Sequence, residues 1–158
     1  MLIRQPHRPK FTGGLEAARL KPWHIEWLIR LRFETLWMAY DCSEDFEPLQ
    51  AAVRMLTEAG IVAPHRDKRV GAYVLMGRRG DTPEVAETRL RQVIKLGIKT
   101  QAMLYDNGRE CRPENIRAWY DLRKHYTNAA EVGAMVAEGW DVRAAIGGCN
   151  MKQLDPRR

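Results

Sequence analysis

Cysteine is scarce. Cys42, Cys111 and Cys149 form an odd set without paired spacing, which argues against a disulfide framework or a C-x-x-C metal site and predicts reduced thiols. His7, His24, His65 and His125 also lack metal-ligand spacing, so surface or packing roles are expected and no metal site is assigned. No apolar run approaches the roughly 20 residues that span a bilayer, and the N-terminal MLIRQPHRPK has no apolar core of the kind a secretory signal needs. A cytoplasmic protein without a membrane partner is expected. The motifs G-x-x-x-x-G-K-S/T, G-x-S-x-G and H-E-x-x-H are missing too, which removes several common hydrolases.

What remains is a composition suited to one packed core, with 45% hydrophobic and 29% charged residues in a chain of 158. The net charge of +6 could assist phosphate or nucleic-acid binding. Lys and Arg are interspersed with Asp and Glu, however, so a mixed solvated surface is favoured over a nucleic-acid partner. The Arg79-Gly80-Asp81 triplet reads as chance in a chain without an export signal.

The most informative stretch is VGAYVLMGRRGDTPE, residues 70 to 84. Val70 to Met76 is a short apolar run rich in β-preferring residues, which predicts a parallel strand buried on both faces. Gly77 to Gly80 permit a tight basic turn, and Asp81 or Thr82 can cap a helix with Pro83 and Glu84 in its first turn. In parallel α/β proteins ligands bind at the carboxyl ends of strands, so Gly77 to Asp81 stands where chemistry is expected.

The same grammar repeats. Lys10 to Thr12 reads as a strand end before Gly13 and Gly14, and Pro22 opens a helix whose Trp23, Trp27, Leu28 and Leu31 recur at helical spacing, as packing residues do. Phe33 to Tyr40 is the next strand; Asp45 and Pro48 start a helix with Leu49, Val53 and Leu56 on one face and Gly60 at its end. The helix from Pro83 carries Val85, Ala86, Leu90, Val93 and Ile94 and stops at Gly97. Thr100 to Tyr105 is a fourth strand, running into a turn at Asp106, Asn107 and Gly108, and Pro113 opens a helix with Ile116, Trp119, Tyr120 and Arg123. Prolines 22, 48, 83 and 113 recur about 30 residues apart, the length of a βα unit. The predicted fold is α/β, four βα units with parallel strands forming a partial (half) TIM-like barrel. An arm over residues 1–9 precedes this domain, which spans 10–128, and a C-terminal helix (Ala129 to Glu138) and tail occupy 129–158.

Four strand ends carry recognisable text: FTGGLEAARL, WMAYD, YVLMGRRGDTPEVAETRL and AMLYDNG. In this order and spacing they resemble the later half of the radical S-adenosylmethionine (radical SAM) catalytic domain, over roughly residues 10 to 125 by the same counting of units. Members of that family hold a four-iron, four-sulfur cluster and S-adenosylmethionine at the carboxyl edge of a partial barrel, usually of six units, and generate a 5′-deoxyadenosyl radical. The resemblance implies cofactor-binding roles for Glu16, Arg19, Asp41, Gly77 and Tyr105. It sets Glu16 and Arg19 near cofactor or substrate, and Asp41 toward the ribose or amino-acid portion. The strand from Val74 to Gly77 would lie against adenine, with Met103 to Tyr105 beside it.

The chain departs from the family by having no C-x-x-x-C-x-x-C loop, and its three cysteines do not replace one by spacing. A partial domain without a cluster or radical activity of its own is therefore expected, with S-adenosylmethionine as a possible ligand and the 4Fe-4S cluster confined to a complete relative. Half a barrel leaves unpaired strand edges and an apolar inner face, so a homo-oligomer or a missing N-terminal half-barrel is the expected partner. The alternatives are a non-catalytic oligomeric binding module and a nucleic-acid-binding protein. Glu16 and Asp41 could equally cap helices or pair with Arg19 and surface cations, and Arg78 and Arg79 could hold an anion or lie in a solvated loop. Trp37, Trp119 and Tyr120 are expected in the core rather than against a base.

Overall fold

The computed structural model describes residues 6–63, 69–105 and 116–127. Strands and helices alternate: β1 (Lys10–Glu16), α1 (Pro22–Leu31), β2 (Thr35–Tyr40), α2 (Phe46–Glu58), β3 (Val70–Met76), α3 (Pro83–Lys95), β4 (Lys99–Leu104) and α4 (Ile116–Thr127). The strands form one sheet in the order β1-β2-β3-β4, and every neighbouring pair is parallel. The α/β architecture of four βα units is thus the observed one, and the sheet does not close. β1 and β4 are its outer strands.

A parallel neighbour is reached only by a crossover, and crossovers of one hand in a sheet that grows strand by strand leave their helices on the same face. Burial follows that rule. Leu36, Met38 and Tyr40 of β2, Val70, Ala72, Val74 and Met76 of β3, and Thr100 and Ala102 of β4 are buried. The apolar ones join Leu49, Val53 and Leu56 of α2, Ala86, Leu90 and Val93 of α3, and Trp119 and Tyr126 of α4 in one core. The alternate positions, Thr35, Trp37, Ala39, Tyr73, Leu75, Lys99 and Gln101, are only half-buried, and Met103 is exposed. Val70 to Met76 is therefore not buried on both faces as the apolar run implies. Tyr73 and Leu75 belong to an open face, and the run reads as uniform because both faces carry apolar side chains.

The helix punctuation is legible down to single atoms. Pro22 and Pro83 are the first residues of α1 and α3. Thr82, rather than Asp81, caps α3, its Oγ1 accepting the Val85 N–H at 3.3 Å. Gly60 (φ 68°) and Gly97 (φ 76°) end α2 and α3 in the left-handed region that costs glycine nothing. Asp45 precedes α2, but its carboxylate turns back to the Asp41 and Cys42 N–H groups instead of capping the helix.

Three further expectations are corrected. β1 extends past Thr12 through Gly13 and Gly14 to Glu16: its pairing with β2 is irregular between Phe11 and Leu15, where Gly14 takes φ 70°. A glycine pair thus bends a strand instead of ending it. Trp23 and Trp27 are 57% and 45% exposed, because α1 buries Ile25 and Leu28 and the tryptophans lie well round the helix from them. Trp23 stacks on His24 (centroids 3.6 Å apart), and Arg30 lies over Trp27 at 5.4 Å. Val85 is exposed, leaving Ala86, Leu90, Val93 and Ile94 as the buried stripe of α3. The expected turn at Asp106 to Gly108, the start at Pro113, the helix from Ala129, and Cys111, Cys149 and His65 fall outside the described residues.

Candidate functional site: the carboxyl rim and the open sheet face

Parallel pairing brings all four strand ends to one edge. Glu16 is in register with Ala39, and Tyr40 with Val74. Met76 is in register with Leu104, and the Tyr105 N–H donates to the Met76 carbonyl at 2.8 Å, carrying the ladder one residue beyond β4. Glu16, Asp41, Gly77 and Tyr105 are therefore the last or next residue of consecutive strands on a single rim. Glu16 pairs with Arg19 at 2.6 Å, and both side chains are largely exposed, so this ion pair contributes little stability. Asp41 is exposed just past β2, where its N–H donates to Asp45 Oδ2 at 2.9 Å.

The loop after β3 is the most constrained part of the rim. Gly77 adopts φ 81°, and its N–H donates to Asp81 Oδ2 at 2.9 Å, while the Asp81 N–H donates to the Arg78 carbonyl at 2.9 Å. Arg89, one of the buried charged residues of α3, binds both oxygens of that carboxylate and the carbonyl of Leu75. Its Nε is buried without a hydrogen-bond partner. Arg78 and Arg79 are exposed.

Beside it, the turn after β2 gathers acidic charge. The Cys42 thiol is pushed up to about 11 by its hydrogen bond to Glu44, by burial and by Asp45, so it stays protonated at neutral pH and is a weak nucleophile. Burial pushes the Asp45 carboxyl up, but the Asp41 and Cys42 N–H groups, the thiol and the charge of Arg78 outweigh it, and the group lies below its ordinary value. Tyr40 donates to Gln92 Oε1, and burial raises its hydroxyl to about 12.

Below the rim, the open sheet face carries a feature that periodicity did not single out. Trp37 and Tyr73 stack with centroids 4.6 Å apart and planes 14° apart. The Trp37 ring occupies the space over Gly71, where a Cβ would come within 2.5 Å of it, and Tyr73 lies against Gly14, whose Cβ would meet its ring at 3.5 Å. Trp37 is thus outside the core, unlike Trp119, which is buried as expected; Tyr120 is exposed. Register rows run Trp37-Gly71-Lys99 and Glu16-Ala39-Tyr73-Gln101 across the sheet. The glycine inside an apolar strand was the available signal for a ring passing close to the backbone.

No group of three or more metal-ligating side chains occurs among the described residues, and no helix there is long and apolar enough to cross a membrane. Compared with protein-family models, curated proteins and solved structures, the chain matches none of them.

Proposed function

We propose that this chain is the later part of a radical SAM-like βα domain whose strand-end rim contributes to binding S-adenosylmethionine. The observation supporting this reading is the convergence of Glu16, Asp41, Gly77 and Tyr105 on one edge of an all-parallel sheet. Carboxylates there can accept hydrogen bonds from ribose hydroxyls or an ammonium group, and a glycine at a strand end lets the backbone approach a flat base. Because the sequence has no C-x-x-x-C-x-x-C loop, the 4Fe-4S cluster and the radical step belong to a complete relative in this reading. The chain by itself binds without catalysing. The edges of β1 and β4, unpaired among the described residues, then pair with further strands, from an N-terminal half-barrel or from a second copy.

Equilibrium dialysis of S-adenosylmethionine against the full chain tests the reading. Binding with little salt dependence that weakens about tenfold in Asp41→Asn or Glu16→Gln supports it, since a hydrogen bond to a charged group contributes about 1.5–3 kcal/mol. Absence of binding, or binding of a polynucleotide that falls steeply with salt, overturns it in favour of a charge-driven partner.

A further inference from the structure

α1 buries Ile25 and Leu28 and turns Trp23, Trp27 and Arg30 the other way. Spaced i, i+4 and i+7, these three share an arc of about 60° on the side of the helix opposite the core. The core does not require them, since neither tryptophan packs against it, and tryptophan is only a middling helix former. Helix formation does not account for the charges either. Exposed Lys21 stands at the N-cap and the first turn has no acidic residue, so positive charge sits at the end the helix dipole disfavours. Exposed Arg30 and Arg32 lie at the other end, and exposed Arg8 is close by in the chain path, because the Glu34 N–H just past α1 donates to the Pro9 carbonyl at 2.9 Å. Among the described residues Arg8, Lys21, Arg30 and Arg32 have no carboxylate partner.

We propose that the outer crest of α1 docks on an anionic lipid surface. Trp23 and Trp27 sink to the headgroup level, where an amphipathic indole is most at home, and the basic residues at both ends of the helix meet lipid phosphate and carboxylate groups. A helix ridge is convex, which suits a flat, deformable surface, and a helix lying in the interface needs no spanning length. The lack of a membrane-crossing helix among the described residues therefore does not bear on it. Base stacking suits the crest less well, because His24 already covers one face of Trp23 and the Arg30 guanidinium lies over Trp27. Neither Glu16, Asp41, Gly77 and Tyr105 nor the open sheet face takes part, so the crest and the rim can succeed or fail separately.

The test is co-sedimentation of the full chain with vesicles of equimolar phosphatidylserine and phosphatidylcholine, against vesicles of phosphatidylcholine alone. Binding is expected to be about tenfold or more tighter to the anionic vesicles, and to weaken about fivefold for each of Lys21→Ser and Arg30→Ser. Trp23→Ser with Trp27→Ser should weaken it about tenfold or more through lost apolar burial. Lys95→Ser with Lys124→Ser removes the same charge from exposed positions on α3 and α4 and should change it by less than about twofold. Vesicles with bromine low on the acyl chains give a readout on the wild type alone, whose tryptophan emission they should quench. No preference for phosphatidylserine, binding without quenching, or equal losses in the Lys95 and Lys124 control overturns the proposal. So does binding of polyuridylate that the tryptophan substitutions abolish, or a dimer in sedimentation that ignores vesicles and dissociates on those substitutions.

Discussion

Arg89 reaches back from α3 and holds Asp81 at both ends of its carboxylate, Nη1 to Oδ1 at 3.1 Å and Nη2 to Oδ2 at 2.7 Å, with each side chain only 7% exposed. Because Asp81 also accepts the Gly77 N–H and Arg89 also donates to the Leu75 carbonyl, one ion pair fixes the exit of β3 and the entry of α3 together. Removing either partner strands a buried charge. Asp81→Asn or Arg89→Met is expected to lower stability by about 3–5 kcal/mol in urea unfolding. The double change Asp81→Leu with Arg89→Met should cost less than the two single losses added.

Gly71→Ala places a methyl where the Trp37 ring lies, and overpacking of this kind costs about 1–3 kcal/mol. The loss should shrink in a Trp37→Leu background, where the ring is gone. Thermal melts of the four proteins in that cycle measure the coupling, and equal losses in both backgrounds would refute the contact.

The Cys42 thiol should alkylate slowly at neutral pH. In a Cys111→Ser, Cys149→Ser background its reaction with iodoacetamide is expected to rise with a midpoint near 11. Glu44→Gln removes a neighbour that opposes the thiolate, so the midpoint should fall toward the ordinary thiol range, about 8.5. A wild-type midpoint already at that ordinary value would contradict the arrangement around Cys42.

Acid stability carries a signature of Asp45. Its folded carboxyl lies below the unfolded value, so it contributes stability above the unfolded pKa of about 3.9, and that contribution is lost as pH falls through the folded pKa. Asp45→Asn should therefore be destabilising near neutral pH and show a shallower decline of stability in acid. Denaturation curves taken at intervals below pH 5 test this, an identical slope being the contrary result.

The order of elements was readable because each unit carries its own punctuation. Pro22 and Pro83 begin helices, Gly60 and Gly97 end them, and short apolar runs between them can only be strands. The rim followed from parallel pairing alone, which sets Glu16, Asp41, Gly77 and Tyr105 at one edge whatever their side chains do. Face assignment was less accessible. In β2 both alternating sets, Leu36-Met38-Tyr40 and Thr35-Trp37-Ala39, contain large apolar residues, so period two does not say which set meets the helices. On α1 tryptophan outranks isoleucine in size, yet Ile25 and Leu28 are buried and Trp23 and Trp27 cover the outer surface. The Asp81–Arg89 clamp spans eight residues between a loop and the second turn of a helix, and only the folded loop brings the two together.

Both flanks of the sheet present strands that run the same way as their neighbours. A module appended at either side would meet identical hydrogen-bonding polarity and would need no reversal of chain direction. The architecture is thus extensible by accretion, and the width of the sheet is set by how many such modules assemble rather than by any terminating element among the described residues.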